Sequence, residues 1–271
     1  MLEILDGVYT AADNKEVTVL IGLDLSAAYD TVDHEMLLER LQTEFRVEGM
    51  PLTWLQSFLD GRTQCVKIGQ HQSTAIQFEV SVPQGSVLGP ILFAVYASPV
   101  ADVIASHGVQ YHQYADDTQL RLAMRADNTT AGLTVIAAMP CRHSADVRQW
   151  YMQNGLQLNP DKSETLIIGT AHQLRAVTPI VSCVTVTDVD LSVANEMKVL
   201  GVTIDLTFEK HVSAVARSCN YHNQAIRHIR HLLMTQLAQT LACSLILSRL
   251  DNCNAVLHGI VSSNIQQLQR V

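Results

Sequence analysis

The chain has 271 residues, of which 48% are hydrophobic and 16% are charged, and its formal net charge is −8. That hydrophobic content supports a substantial core and excludes intrinsic disorder, while the negative charge excludes a histone-like polycation. No apolar run approaches the roughly 18 residues of a membrane span, and the first ten residues carry no secretory signal, so we expect an intracellular protein with no membrane partner.

Apolar spacing, turn residues and helix caps predict a mixture of short strands and helices. In the first half they indicate a buried strand over 17–25, helices over 34–45 and 51–59, a hairpin over 62–82 closed around Gly69–Ser73, a helix over 88–105, and two strands over 109–124 that turn at Asp116-Asp117. In the second half they indicate a helix over 128–154 that ends at Gly155, strands over 164–169, 180–186 and 197–205, and helices from Phe208 onwards. This order predicts an α+β domain with a small all-α appendage.

Three aspartates stand where predicted strands end. Asp24 closes the first strand, and Asp116 and Asp117 form the tip of a hairpin. Adjacent strand residues point to opposite faces, so two neighbouring aspartates converge on one site only where a turn rotates them. Gathered carboxylates repel each other, and Mg²⁺ or Mn²⁺, which prefer oxygen ligands, offset that repulsion and serve phosphoryl transfer in pairs. On spacing alone, ordinary turn chemistry also accounts for the Asp-Asp-Thr sequence.

Basic residues are concentrated in the tail. No acidic residue occurs between Glu209 and Asp251, and this stretch carries a charge of +5. Its basic residues are Lys210, Arg217, Arg227, Arg230 and Arg249, and His211, His222, His228 and His231 could add positive charge near a phosphate backbone. Composition alone allows a solvated helix face as well as a surface that binds nucleic acid. A metal site at His228 and His231 is disfavoured, because no carboxylate or cysteine of suitable spacing joins them.

Five motifs occur in a fixed order along the chain. They are LDLSAAYDTVDH (23–34), VPQGSVLGPILF (82–93), YADD (114–117), GLQLNPDKSE (155–164) and LGV (200–202). In order and rough spacing they resemble the reverse transcriptase domain of non-LTR (LINE-like) retrotransposons of the CR1 and Jockey types. The resemblance covers essentially the whole chain and implies a right-hand polymerase palm over 1–205, with a remnant of the fingers, and a partial all-α thumb over 206–271. From the resemblance we also expect most of the fingers, and the endonuclease that usually precedes them, to be missing, which leaves the activity of this chain on its own open.

The resemblance also implies RNA-directed DNA synthesis by a two-metal mechanism, with an RNA template, a DNA primer and deoxynucleoside triphosphates as partners. Asp24 and Asp116 are implied as the main ligands of two Mg²⁺ or Mn²⁺ ions, with Asp117 as a weaker one. The resemblance implies that Tyr29 stacks under the deoxyribose and excludes a 2′-hydroxyl, and that Gln84 and Gly85 line the nucleotide pocket. It implies that Lys162 acts near the leaving pyrophosphate. The implied nucleic-acid contacts are Arg62 and Lys67 to the template, and Lys210, Arg217, Arg227 and Arg230 to the duplex.

Two alternatives remain beside this interpretation. A viral-type RNA-dependent RNA polymerase is disfavoured, because Tyr29 is bulky and Ala115 replaces the glycine that such enzymes prefer before Asp-Asp. A catalytically inactive relic that at most binds nucleic acid stays open. The sequence also departs from the family at Ser81, where a glycine is usual before Val-Pro-Gln-Gly, and we expect this change to stiffen the loop.

Overall fold

The computed structural model describes residues 1–106, 108–125, 144–177, 183–186, 189–205, 207–252 and 254–271. Its helices are α1 (Leu2–Asp13), α2 (His34–Thr43), α3 (Met50–Leu59), α4 (Gly89–Ala97), α5 (Val100–Ala105), α6 (Ser144–Gln153), α7 (Ala171–Val177), α8 (Glu209–Ile229), α9 (Thr235–Ala242), α10 (Ser248–Asp251) and α11 (Ser262–Gln269). Its strands are β1 (Glu16–Leu23), β2 (Leu25–Ser26), β3 (Thr63–Gln64), β4 (Lys67–Ile68), β5 (His71–Gln72), β6 (Ile76–Gln77), β7 (Gln110–Tyr114), β8 (Asp117–Arg125), β9 (Gln157–Leu158), β10 (Glu164–Ile168), β11 (Cys183–Val186), β12 (Val189–Ala194), β13 (Met197–Val199) and β14 (Val202–Ile204). Within these ranges no helix is long and apolar enough to cross a membrane.

A six-stranded sheet in the order β11-β12-β10-β1-β8-β7 forms the centre of the fold. Strand β1 pairs antiparallel with both β8 and β10. Its side chains alternate between two hydrophobic cores: Val19 and Ile21 enter the larger core with the helices of one face, whereas Leu20 enters the second core on the other. Burial on both faces explains why the predicted strand is a continuous apolar run.

The N-terminal helix α1 was not predicted. Its buried residues Ile4, Leu5, Val8 and Ala11 follow helical spacing and pack toward the sheet, so the periodic signal was present in the sequence. Gly7 weakens helix propensity in the middle of this segment. In the structure the guanidinium of Arg121 on β8 occupies the place of a Cβ on Gly7. A larger residue at this position would require that flexible side chain to move.

Two further predictions need correction. The single helix over 88–105 is two helices, α4 and α5, because Pro99 lacks the N–H that would continue the backbone ladder. The single strand over 197–205 is the hairpin β13–β14. Leu200 (φ 49°) and Gly201 (φ 84°) are its two central turn residues, and positive φ at both positions is typical of a tight two-residue hairpin turn.

Most remaining elements are confirmed with small shifts. The hairpin over 62–82 forms as two short paired pieces, β3–β6 and β4–β5, with its turn at Gly69. Of the predicted helix over 128–154, residues 128–143 lie outside the described residues, and α6 ends as predicted, with Gly155 at φ 65° and the N–H of Leu156 donating to the Tyr151 carbonyl at 2.8 Å. Residues 180–182 of a predicted strand also lie outside the described residues.

The tail is helical from Glu209, as predicted. Asp205 caps its first helix, because its carboxylate accepts the backbone N–H groups of Thr207 (2.7 Å) and Lys210 (3.2 Å). These hydrogen bonds lower the pKa of Asp205 against the opposing effect of burial. Phe208 and Val212 share the second core with α1 and with the hairpin β13–β14. The helical tail is thus packed onto the sheet.

Candidate active site

Asp24 follows the last residue of β1 and is held there by the GLQLNPDKSE segment. Its backbone N–H donates to Ser163 Oγ at 3.1 Å, and its carbonyl accepts the N–H of Asn159 at 2.8 Å. The short strands β2 and β9 pair immediately beside it. Two motifs that are far apart in sequence therefore fix the position of one carboxylate at the end of the central strand.

Asp116 and Asp117 lie on the hairpin β7–β8, next to the end of β1. The turn consists of Ala115 and Asp116, one residue earlier than predicted, and Asp117 is already paired with Tyr114 as the first residue of β8. Ala115 has φ 54°, a conformation that few residues other than glycine adopt. The register of β1 and β8 pairs Leu23 with Thr118, so Asp24 and Asp117 lie across from each other one step further along.

The three carboxylates influence one another electrostatically. Burial raises the pKa of Asp117, and the negative charges of Asp116 and Asp24 raise it further. The Oδ2 atom of Asp24 is buried and accepts no hydrogen bond from the described residues. A buried, acceptor-only oxygen without a donor is costly unless a cation neutralises it.

The donor set fits divalent metal ions in its chemistry. It consists of carboxylate oxygens alone, which suit Mg²⁺ or Mn²⁺, and it includes the Asp24 oxygen that accepts no hydrogen bond from the described residues. Within the described part of the chain, no three His, Cys, Asp or Glu side chains are grouped closely enough to share a metal ion. The aspartates instead lie as a facing pair, Asp24 and Asp117, with Asp116 on the adjoining turn.

Lys162 lies beside this carboxylate pair. Its Nζ is 3.9 Å from Asp24 Oδ2, and both residues line a cavity of about 220 Å³. Asp117 lines the same cavity, as does Lys198 of β13. Sequence reasoning missed Lys198, although it lies two residues before the LGV motif, because the predicted strand gave no reason to place it near the aspartates. The cavity therefore combines two cations with the facing carboxylates.

Tyr29 forms the other wall of the aspartate site. Its hydroxyl donates to Asp116 Oδ1 at 3.5 Å, and its ring contacts Phe93 with the ring centres 5.2 Å apart. Burial and the nearby Asp116 raise the pKa of Tyr29, so the hydroxyl keeps its proton and acts as a donor. A Cβ on Gly89 would lie 3.9 Å from the Tyr29 ring and 3.0 Å from the Pro83 carbonyl, so the backbone of α4 packs closely here.

Gln84 and Gly85 lie in an exposed loop that precedes α4. Gln84 Nε2 donates to Asp30 Oδ1 at 3.3 Å, and Gly85 has φ 78° with no atom near the position of a Cβ. Gln84 shares a large cavity, about 820 Å³, with Arg62. Arg62 is held at the cavity wall, since its Nε donates to the Phe58 carbonyl and its guanidinium lies 4.3 Å from the Phe58 ring centre. Lys67 is exposed on β4, away from both cavities.

Ser81, at the start of this loop, adopts a strained backbone conformation with φ 101°. Its backbone N–H donates to the Val32 carbonyl at 2.7 Å, which holds the strained position in place.

We expect Ser81→Gly to raise the free energy of unfolding by about 1 kcal/mol, because glycine adopts this φ without a Cβ clash, although its unfolded state has more conformational entropy to lose. Urea denaturation of the two proteins measures the difference. Ser81→Ala is the control and should give no increase, since alanine keeps the Cβ; an equal gain for both variants would mean that strain is not the cause.

The basic residues of the tail differ in their availability. Arg217, Arg227 and Arg230 are exposed and pair with no acidic group in the described parts of the chain, whereas Lys210 Nζ forms an ion pair with Glu196 at 2.9 Å. His211 does not add positive charge to this surface. It is buried, burial lowers its pKa, and its Nδ1 accepts the backbone N–H of Thr203 at 3.4 Å.

Known proteins share the motifs of this chain. The pattern of the family described as reverse transcriptase (RNA-dependent DNA polymerase) matches residues 2–204. The chain belongs to the reverse transcriptase family. It is 28% identical over 229 residues to the probable RNA-directed DNA polymerase from transposon BS of Drosophila melanogaster, covering 80% of this chain and 23% of that protein. It is 30% identical over 216 residues to the probable RNA-directed DNA polymerase from transposon X-element of the same organism, covering 78% of this chain and 22% of that protein.

These matches confirm the predicted resemblance to non-LTR elements. The chain spans less than a quarter of the length of the two relatives. Among solved structures, telomerase from Candida tropicalis in complex with a fragment of telomeric RNA aligns with a TM-score of 0.50 at 12% identity, over 95% of this chain and 43% of that one. At this identity the likeness concerns the fold alone, and it agrees with the predicted α+β palm.

Proposed function

We propose that this chain is the polymerase core of a non-LTR retrotransposon and copies RNA into DNA, adding deoxynucleotides to the 3′ end of a DNA primer. The observation that carries the proposal is the placement of Asp24 across from the Asp116-Asp117 turn, at the end of the two central antiparallel strands. Three mutually repelling carboxylates at one strand end gain no stability by themselves. Their arrangement is understandable as a binding site for cations that act on phosphates.

In this proposal Asp24 and Asp116 hold two Mg²⁺ or Mn²⁺ ions, and Asp117 contributes more weakly. When bound, these ions supply positive charge to the primer 3′-hydroxyl and the triphosphate. Lys162 is placed to neutralise charge on the leaving pyrophosphate, since its Nζ is 3.9 Å from Asp24 Oδ2 and its side chain is largely exposed. Tyr29 and the loop at Gln84 and Gly85 form the side on which the incoming deoxynucleotide and the template base meet.

The tail supplies the contact with the primer–template duplex in this proposal. Arg217, Arg227 and Arg230 are exposed cations in an acid-free stretch, and such cations bind the phosphate backbone of any sequence. Lys210 contributes less, because its charge is already paired with Glu196. Arg62 at the wall of the large cavity, and Lys67 on β4, are proposed to contact the template strand.

The test is primer extension on an RNA template with deoxynucleoside triphosphates and Mg²⁺ or, separately, Mn²⁺. Binding of the same primer–template is measured in parallel by fluorescence anisotropy. The proposal requires template-directed extension that stops when the metal is chelated. Binding without extension under both metals would reject the polymerase and leave the alternative, a relic that binds nucleic acid. Loss of both would reject the nucleic-acid partner as well.

Tyr29 is expected to select the sugar of the incoming nucleotide. Its ring is held by contact with Phe93 and by the hydrogen bond to Asp116. We therefore expect the 2′-hydroxyl of an incoming ribonucleotide to clash with this ring. Tyr29→Val should raise ribonucleotide incorporation relative to deoxyribonucleotide incorporation by about tenfold or more, which corresponds to about 1.4 kcal/mol. Tyr29→Phe is the matched control, because it keeps the ring and loses only the hydroxyl. Equal discrimination in the Val variant and the parent would remove Tyr29 from this role.

A further inference from the structure

We propose that the large cavity beside Gln84 holds one ribonucleotide of the template and that Asp30 and His34 recognise its 2′-hydroxyl. The inference rests on the proposed function and adds to it a site that distinguishes an RNA template from a DNA template. Neither Asp30 nor His34 was assigned a role from the sequence, although both belong to the LDLSAAYDTVDH motif.

The cavity is large and lies close to the aspartate site without including it. Its volume of about 820 Å³ is ample for a nucleotide, and its walls include Asp30, His34, Arg62 and Gln84. Asp24, Asp116 and Asp117 do not line it. The primer 3′-hydroxyl and the triphosphate must both reach those aspartates, so the cavity is not their place. Asp30 directly follows Tyr29, which touches Asp116, and the cavity therefore adjoins the position where a template base pairs with the incoming nucleotide.

Arg62 gives the cavity a cation that no residue of the protein neutralises within the described ranges. Its Nε donates to the Phe58 carbonyl, and the face of its guanidinium lies on the Phe58 ring. Both contacts fix the side chain and leave the Nη groups available. A guanidinium with free N–H groups in a polar cavity suits a phosphate of a nucleic-acid backbone.

His34 and Asp30 offer hydrogen-bond acceptors to the same cavity. His34 Nε2 lies 2.7 Å from the Ser81 carbonyl oxygen. Because a carbonyl oxygen only accepts, Nε2 must carry the proton, and in the neutral ring Nδ1 is then an acceptor. Asp30 accepts from Gln84 Nε2 through Oδ1, and its second oxygen has no partner among the described residues. Both groups are therefore available to accept a hydrogen bond from an occupant of the cavity.

The combination of one cation with two acceptors selects the chemistry of the occupant. A phosphate satisfies Arg62 but offers no donor at neutral pH and is repelled by the Asp30 carboxylate. A ribose 2′-hydroxyl offers the missing donor, and it is the group that distinguishes RNA from DNA. A ribonucleotide, with its phosphate toward Arg62 and its hydroxyl toward Asp30 and His34, satisfies all three side chains. A deoxyribonucleotide offers these acceptors no hydroxyl donor.

The experiment uses the full chain and RNA templates in which one nucleotide at a time is replaced by its 2′-deoxy form. Binding of each primer–template is measured by fluorescence anisotropy for the parent and for His34→Gln. The glutamine amide keeps a donor for the Ser81 carbonyl, while its acceptor oxygen is displaced from the position of Nδ1. In the parent we expect one template position at which the 2′-deoxy change weakens binding about fivefold to tenfold, the scale of one hydrogen bond. In His34→Gln this position should become insensitive.

His71→Gln, on the exposed strand β5, is the matched control and should keep the sensitive position. A parent with no sensitive position would overturn the inference, and so would a His34→Gln variant with unchanged sensitivity. Thermal unfolding checks that His34→Gln is folded, and Asp30→Asn provides a second variant that should also lose the sensitivity. Because binding is measured, a chain that binds with one sensitive position but does not extend primers rejects the proposed polymerase and leaves this inference intact.

Discussion

Replacement of Asp24 by asparagine is expected to lower the rate of primer extension by about 10³-fold or more. The change keeps the size of the side chain and removes its negative charge, while the backbone contacts to Ser163 and Asn159 remain. A metal ion contributes several kcal/mol to phosphoryl transfer, and about 4 kcal/mol corresponds to 10³ in rate. Single-turnover extension on an RNA template measures the loss. Binding of Mn²⁺, followed by paramagnetic broadening of signals near the hairpin β7–β8, should weaken in parallel.

Asp13→Asn is the matched control, because this exposed carboxylate ends α1 just before the start of β1, at the opposite end of that strand from Asp24, and its loss should leave both measurements unchanged. Asp116→Asn should behave like Asp24→Asn, and Asp117→Asn should cost less if its role is secondary. The structure makes this comparison informative, because it is Asp117 that lies across from Asp24. Equal rates for Asp24→Asn and the parent would contradict the assignment of Asp24 to the reaction.

Sequence reasoning located the aspartates because both determinants of their position are local. The run 17–25 is apolar on both faces and ends at an acid, and the YADD segment combines alternating strand residues with a turn. What could not be read was which of the two adjacent aspartates faces Asp24. That depends on whether the turn occupies 115–116 or 116–117, a shift of one residue that exchanges the faces of the following strand.

The residues that complete the two cavities depend on contacts between distant segments. Lys198 reaches the aspartates only because Leu200 and Gly201 form a tight turn and fold β13 back along β14. No Asn-Gly or Asp-Gly signal marks that turn in the sequence. Likewise, His34 lines the same cavity as Arg62, and the Ser81 carbonyl holds its ring by one hydrogen bond at the start of the Val-Pro-Gln-Gly loop. Hydrophobic periodicity and helix-capping signals do not reveal contacts between segments that are distant in the sequence.

Arg40 on α2 is expected to be the most important single polar side chain for stability. It is half-buried, its Nη atoms donate to the Tyr96 carbonyl on α4 and to Asn154 Oδ1 at the end of α6, and its guanidinium lies 4.7 Å from the Tyr96 ring centre. Arg40→Met keeps much of the apolar stem and leaves two acceptors without donors. At about 1–3 kcal/mol for each such group, we expect the free energy of unfolding to fall by about 3 kcal/mol.

Urea denaturation measures this change, and the exposed Arg175→Met is the control for loss of a positive charge alone. Arg40→Lys separates charge from geometry: a lysine keeps the cation but cannot donate in two directions while lying on the ring, so it should recover less than half of the loss. Burial lowers the pKa of Arg40, yet arginine stays protonated over the accessible pH range, and the destabilisation should therefore be equal at pH 6 and pH 8. A loss below about 1 kcal/mol for Arg40→Met would show that Asn154 and the Tyr96 carbonyl find other donors, and that α2, α4 and α6 are held together by apolar packing alone.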